Sequence, residues 1–380
     1  MEHKIKIAII SRKMIIGGVE KSLLSLLNRM RREDIKIDLY LESLNGDLFD
    51  EIPTGVNVIE IPKRIHFFKE PLRYINSINS KLKIRKELNY LNQCELTSHC
   101  LPKIEKIYDL AISYHAPNTI PVFYTINNID ASKKILWLHG DIITNNATCE
   151  LVYNYYNEYD KIFGVSEYIK ETLNKQFPKL YSKADVFYNF VDEENLKKLS
   201  YKGDSFNDNF DGTRILTIGR LDYQKGYDLA IKACHNLIEH GYNIKWYICG
   251  EGSSRKEIED LIKKYNLRND FILLGNQKNP YGYLKDCDIY VQTSRFEGYC
   301  TTTNEARILR KPVVTTNVSG ANEQFENNKT GIIVDINENE IYKGIKILIE
   351  NTQKRIEFSK NIELNLVNKV EDIDKLMCLL

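Results

Sequence analysis

An excess of charge of either sign is missing from this sequence. Its 380 residues hold 53 Lys and Arg against 52 Asp and Glu, a net charge of +1. A dedicated nucleic-acid binder carries a marked basic excess, so nucleic acid is excluded as a partner. Long apolar runs are missing too, since no stretch approaches the roughly 18 residues of a membrane-spanning helix. The opening MEHKIKIAII has charge and only a short apolar run, broken by Ser11-Arg12-Lys13, and reads as a strand rather than a signal peptide. No two of the eight cysteines, at 94, 100, 149, 234, 249, 287, 300 and 378, have C-x-x-C spacing. They are expected to be buried thiols in a reducing compartment, so the protein reads as cytoplasmic. With 43% hydrophobic and 28% charged residues the chain is of ordinary globular composition. Its length suits two domains, each able to bury a core.

Short apolar runs alternate with longer amphipathic stretches. In the first half the runs are Ile5–Ile10, Ile35–Leu41, Val56–Ile61, Asp109–Tyr114, Ile135–His139, Ile162–Val165 and Val186–Phe190. In the second they are Ile215–Ile218, Trp246–Cys249, Phe271–Leu274, Ile289–Gln292, Val313–Thr316 and Ile332–Val334. Between them lie helical patterns such as Ile258, Leu261, Ile262 and Tyr265, spaced i, i+3, i+4, i+7. Strand and helix alternating this often predict an α/β fold with parallel sheets covered on both faces. The polar segment Tyr201–Thr213 has little to bury and reads as a linker or exposed loop. It divides the chain into a domain at 1–200 and a second at 201–380, the last helix being a candidate to pack back on the first. Two doubly wound domains facing a cleft would bind ligands at the carboxyl ends of their strands.

Several motifs fall at such strand ends. Gly219-Arg220 and Lys225-Gly226 put two cations at the exit of one strand, a pair suited to a diphosphate or, alternatively, a chance basic turn. Ile248-Cys249-Gly250-Glu251-Gly252 approaches a dinucleotide fingerprint, but the third glycine would fall at 255, which is Arg, so NAD is rejected. Glu297 and Glu305 stand eight apart around a helix start, with Gly298 between. Free amides there suit an anion and the carboxylates suit hydroxyls, although one dipole partner and one satisfied helix carboxylate would look the same. Asp286-Cys287-Asp288 could mislead as a metal-binding pair. Because Asp288 opens an apolar strand it reads as structural, and no other cluster has metal spacing. In the first half, Gly17 and Gly18 allow either close backbone approach to a ligand or a tight turn. His139, at a strand end, is either a substrate partner or a structural histidine, and Ser166 is at least a helix cap. Residues 63–86 hold eight Lys and Arg with one acidic residue, Glu70, and interleaved Phe67, Phe68 and Tyr74. They form either a surface that docks on anionic lipid or on a phosphate-bearing acceptor, or a solvated helix face with its apolar residues in the core.

Taken in order, these motifs resemble the retaining glycosyltransferases of family 4, of GT-B architecture with two Rossmann-like domains. The resemblance rests on GGVE at 17–20, WLHGD at 137–141, VSEYIK at 165–170, YNFVD at 188–192, GRLDYQKG at 219–226, CGEGSSR at 249–255 and FEGYCTTTNEA at 296–306, followed by SGANEQF at 319–325 and GIIVD at 331–335. It implies a nucleotide-sugar donor, with UDP favoured, a saccharide acceptor, for which a lipid-linked one would fit the basic aromatic stretch 63–86, and no metal or other cofactor. It implies that Arg220 and Lys225 stabilise the leaving diphosphate, Glu305 holds the ribose, Glu297 meets the donor sugar and His139 contacts the transferred sugar. Gly17, Gly18, Gly219, Gly250, Gly298, Tyr299, Cys300, Thr301 and Thr302 would line the donor, and Gln277 would lie in the base-contacting loop. Many relatives have Gly and Pro where this chain has Cys300 and Thr302. The wording around EGY and KPVVTT is most similar to capsular and other cell-surface polysaccharide transferases, which work in the cytoplasm at the inner face of the membrane. A non-catalytic partner subunit or an epimerase of the same architecture are the competing readings.

Overall fold

The computed structural model describes residues 4–62, 90–142, 149–365 and 372–380. The basic stretch 63–86 lies outside the described residues. The chain divides into two compact units, one of residues 1–190 and 369–380, the other of 191–368. The division falls between Phe190 and Val191, against about residue 200 from composition.

The first unit holds a seven-stranded sheet: β1 (Ile5–Ser11), β2 (Ile35–Leu41), β3 (Asn57–Glu60), β4 (Ile107–Ala116), β5 (Asp130–Leu138), β6 (Lys161–Gly164) and β7 (Ala184–Val186). Their spatial order is β3-β2-β1-β4-β5-β6-β7, all parallel. The strands read as near-continuous apolar runs because helices cover both faces. The expected strand Val186–Phe190 is corrected to Ala184–Val186. Phe187 leaves the ladder to pack against Trp137 at 4.4 Å and Phe163 at 5.2 Å between ring centroids. Lys375, near the chain's end, donates to the Val186 carbonyl at 3.3 Å within the same unit.

The second unit holds β8 (Thr213–Ile218), β9 (Ile244–Cys249), β10 (Phe271–Gly275), β11 (Ile289–Gln292), β12 (Val313–Thr316) and β13 (Ile332–Val334). They are parallel in the order β10-β9-β8-β11-β12-β13. Winding reverses between β8 and β11, so a crevice opens at their carboxyl ends. One core packs the helices Tyr227–Glu239 and Glu338–Glu350 on Trp246, Ile248 and Val291. Ile341, Ile345 and Leu348 supply the buried stripe of the second helix, and Asn337 caps it by accepting from the Glu340 amide.

The segment Tyr201–Thr213 is not a loose linker. Asp208 accepts from Arg214 at 2.8 Å, Lys245 at 2.9 Å and Tyr247 at 2.5 Å, and Phe206 packs on Tyr247 and Tyr283. Three donors meeting one carboxylate hold its pKa far below the ordinary range despite partial desolvation. Composition concealed this because one aspartate and two aromatics anchor an otherwise polar stretch. All eight cysteines are free thiols. Five are buried, whereas Cys100 and Cys149 are half-buried and Cys378 is exposed, which corrects the expectation of uniform burial.

Candidate active site

Two loops of the second unit meet at the reversal point between β8 and β11. The first leaves β8 at Gly219, makes a single 3-10 turn over Tyr223–Lys225 and enters the helix Tyr227–Glu239. Asp222 shapes it by accepting from the Lys225 amide at 3.2 Å. Gly226 closes it at φ +65°, where an added Cβ would meet the Thr293 carbonyl, so only glycine fits. The second loop leaves β11 and reaches the helix Thr301–Ile308. The loops are laced together: Thr293 Oγ1 donates to the Lys225 carbonyl at 2.8 Å, the Arg295 amide to Gln224 at 2.7 Å, and Gln224 to the Phe296 carbonyl at 2.9 Å. Arg295 forks onto Asp228 at 2.7 and 2.8 Å and lies over the Tyr223 ring.

This lacing brings Lys225 Nζ to 2.6 Å from Glu297 Oε1, with both side chains largely withdrawn from solvent. Burial alone would lower the pKa of the Lys225 ammonium, but the facing carboxylate outweighs it, and the net shift is upward. Lys225 is therefore a fixed cation. Arg220 differs from it. Its side chain is 62% exposed and pairs with Asp222 at 3.5 Å. The two cations leave the same strand, but only one is built into the network.

Glu305 lies at 2% exposure, about one turn into the helix Thr301–Ile308. Its Oε1 accepts from the Tyr281 hydroxyl at 2.8 Å, while its Oε2 is buried with no hydrogen-bond partner. An unsatisfied buried carboxylate oxygen costs about 1–3 kcal/mol or more, so this atom is waiting for a donor. Around the helix start, Tyr299 and Cys300 are buried, Thr303 Oγ1 bonds Gln324 at 2.7 Å, and Gln324 returns to the Cys300 carbonyl at 3.0 Å. Burial, with the Glu297 carboxylate nearby, pushes the pKa of the Cys300 thiol up. Thr302 Oγ1 sits 3.3 Å from both Cys300 Sγ and Gln292 Oε1. Thr301 opens the helix, whose first-turn amides face out of its N-terminal end. Gly250 has a steric reason to be glycine, because an added Cβ would strike the Gly219 carbonyl. The Gln277 side chain turns back to the Leu274 carbonyl at 2.8 Å.

Both carboxylates of the D-x-D are engaged in structure. Asp286 accepts from Ser205 and Lys285, each at 2.5 Å. Asp288 accepts from the Arg214 amide at 2.8 Å and pairs with Arg355 at 3.3 Å.

In the first unit His139 follows β5, its amide donating to the Ala116 carbonyl at 2.9 Å. Both ring nitrogens are withdrawn from solvent, with the Tyr114 backbone and the Asn189 side chain beside the imidazole, and the ring lies 4.7 Å from that of Tyr114. Tyr114 donates to Ser22 at 2.9 Å and Ser22 to Asn189 at 3.1 Å. Burial, reinforced by nearby His115, pushes the His139 pKa down to about 3, so the imidazole is neutral at any ordinary pH. Gly17 precedes the helix Gly18–Arg29 in extended conformation, and a Cβ on it would meet the Glu20 carboxylate. Ser166 is the N-cap of the helix Glu167–Gln176, accepting from Ile169 at 3.2 Å.

Tyr281, Gln292 and Ser294 were not picked out from sequence. Tyr281 carries no local signal, since only the fold brings it to Glu305. Gln292 and Ser294 had one, as polar residues at alternate positions of an otherwise apolar strand.

Two family models cover most of the chain. The one described as Glycosyl transferases group 1 matches residues 204–364, and Glycosyltransferase Family 4 matches 16–195. The chain belongs to the family-4-like glycosyltransferases of GT-B architecture. Among similar proteins, this glycosyltransferase is 28% identical over 350 residues to the N-acetylgalactosamine-N,N'-diacetylbacillosaminyl-diphospho-undecaprenol 4-alpha-N-acetylgalactosaminyltransferase of Campylobacter jejuni, across 89% of this chain and 88% of that one. It is 27% identical over 181 residues to the capsular polysaccharide biosynthesis glycosyltransferase CapM of Staphylococcus aureus, across 47% of this chain and 46% of that protein. The glycosyltransferase also shares its fold with Anabaena HepE solved with UDP and glucose, at TM-score 0.74, 17% identity and coverage of 99% and 100% of the two chains. S. aureus TarM follows at TM-score 0.73 and 16% identity, across 98% and 99%. Among the described residues no helix is long and apolar enough to cross a membrane.

Proposed function

We propose that this glycosyltransferase moves a hexosyl or N-acetylhexosaminyl group from a UDP-sugar to a saccharide acceptor, with retention at the anomeric carbon and without a metal, in the synthesis of a cell-surface polysaccharide. The unpartnered Glu305 Oε2 carries the reading. A buried carboxylate oxygen on the helix that starts at Thr301, with the Lys225 cation held in the loop laced to that helix's entry, suits a vicinal diol attached to a diphosphate, and a nucleotide ribose supplies both. In this reading Lys225, the exposed Arg220, and the amides of Gly298–Thr302 around the helix start take the diphosphate, while Glu297 takes hydroxyls of the transferred sugar. Gly219, Gly250 and Gln277 shape the nucleoside end. In the first unit, Gly17, Gly18 and neutral His139 would serve the acceptor or the transferred sugar.

The glycosyl–phosphate bond breaks as the acceptor oxygen approaches from the same face. The departing phosphate oxygen takes the acceptor's proton as the new glycosidic bond forms. Negative charge grows on the diphosphate, and a fixed cation and amides already aimed there need no reorganisation. The names of the C. jejuni relative and of a poly(ribitol-phosphate) alpha-N-acetylglucosaminyltransferase of S. aureus both specify an alpha linkage. The first also specifies a diphospho-undecaprenol acceptor, which favours a lipid-linked saccharide here.

Calorimetric titration with UDP, GDP and ADP tests the site. UDP should bind, and Glu305→Gln should weaken it at least about tenfold, roughly 1.4 kcal/mol. Equal binding by the variant, or no binding of UDP by the wild type, would overturn the assignment.

A further inference from the structure

Strand β11 is covered on both faces, yet it and its exit carry Tyr290, Gln292 and Ser294 at alternate positions, each at 0% exposure. Period-two spacing puts all three on one face. Packing alone would be served by Val, Ile or Leu, and burying an amide and two hydroxyls is costly unless every one is bonded.

They are bonded in series. The Tyr290 hydroxyl donates to Gln292 Oε1 at 2.8 Å, and Gln292 Nε2 donates to Ser294 Oγ at 2.8 Å. Ser294 donates to Glu297 Oε1 at 2.6 Å, the same oxygen that Lys225 Nζ reaches at 2.6 Å. The series has one direction. Having accepted the amide hydrogen of Gln292, Ser294 spends its own hydrogen on the carboxylate. Thr302 Oγ1 adds a second donor to Gln292 Oε1 at 3.3 Å, tying the series to the helix Thr301–Ile308. Such chains polarise one another in a low-dielectric interior and fix the group at their end.

We propose that Gln292 and Ser294 are positioning residues. Their chain, begun at Tyr290, holds Glu297 Oε1 against Lys225 and so leaves the other carboxylate oxygen and the lysine's remaining hydrogens for substrate. The proposal rests on the donor-site reading of Lys225 and Glu297 given above, but its geometric half can be measured without that reading.

The test combines crystal structures and steady-state kinetics of Ser294→Ala and Tyr290→Phe, with UDP-N-acetylgalactosamine, UDP-N-acetylglucosamine and UDP-glucose as donors. In Ser294→Ala the Glu297 side chain should leave its single position and the Lys225–Glu297 separation should pass about 4 Å, the limit of an ion pair. Its kcat should fall at least about tenfold with donor KM changed less than about threefold, a transition-state loss rather than a binding loss. Tyr290→Phe, which removes one oxygen and keeps the packing, should show the same split at about threefold, and it carries both readouts if Ser294→Ala does not fold. A pair that stays closed in these variants overturns the proposal, and so does a displaced pair with unchanged kcat. A wild type that turns over none of the donors counts against the donor-site reading instead, and the Lys225–Glu297 distance still decides the positioning.

Discussion

His139 illustrates how burial sets chemistry at a single residue. Two ring nitrogens sealed from solvent and a pKa pushed down to about 3, by burial first and His115 second, describe an imidazole that stays neutral. The same fact is a stability statement. The unfolded histidine titrates near 6.5, so the unfolded state binds the proton first as pH falls. Stability is unaffected above that value and declines below it, by about 1.4 kcal/mol per pH unit until the folded value is reached. His139→Asn should therefore narrow the difference in unfolding free energy between pH 7 and pH 5 by about 2 kcal/mol in urea titrations. An unchanged difference would mean that the ring is not held neutral by burial. Arg220 and Lys225 show the limit of reading residues from sequence. Their types and spacing were legible, but that one would be sealed against Glu297 and the other left largely exposed was not. That difference comes from Ser294 and Asp222, which no motif identified as partners.

At the scale of elements, the turn from β8 into the helix Tyr227–Glu239 fixes where Lys225 stands. Gly226 is left-handed and faces the Thr293 carbonyl, whereas Gly241, also left-handed at φ +81°, faces open space. Gly226→Ala should cost about 2 kcal/mol or more, from both conformation and crowding, and lower Tm by roughly 4 °C or more. Gly241→Ala should cost only about 1 kcal/mol. Equal shifts in differential scanning calorimetry would contradict the steric account. Elements were the most legible level. Periodicity located the strands because buried parallel strands are apolar throughout and are bounded by turn residues. It misplaced β7, where Phe187 satisfies packing rather than the ladder, and it misread Tyr201–Thr213, where Asp208 orders a polar stretch through long-range charge partners. A periodicity argument has no access to partners more than thirty residues away, such as Lys245 and Tyr247.

At the scale of the whole molecule, the same winding occurs in both units, and in the second it reverses where the loops carrying Lys225 and Glu297 meet. The architecture and the family were legible because motifs recur in fixed order along nearly the whole chain. In the proposed reading transfer rests on Lys225, buried in the laced loops and paired with Glu297. The most direct measurement is the rate of UDP release from UDP-sugars, with an undecaprenyl-diphosphate-linked saccharide as acceptor, for the wild type and Lys225→Ala. The wild type should turn over at least one donor, and the variant should remain folded while losing about a hundredfold or more in kcat, the scale of removing a preorganised electrostatic partner. A folded variant that releases UDP as fast as the wild type would contradict the account.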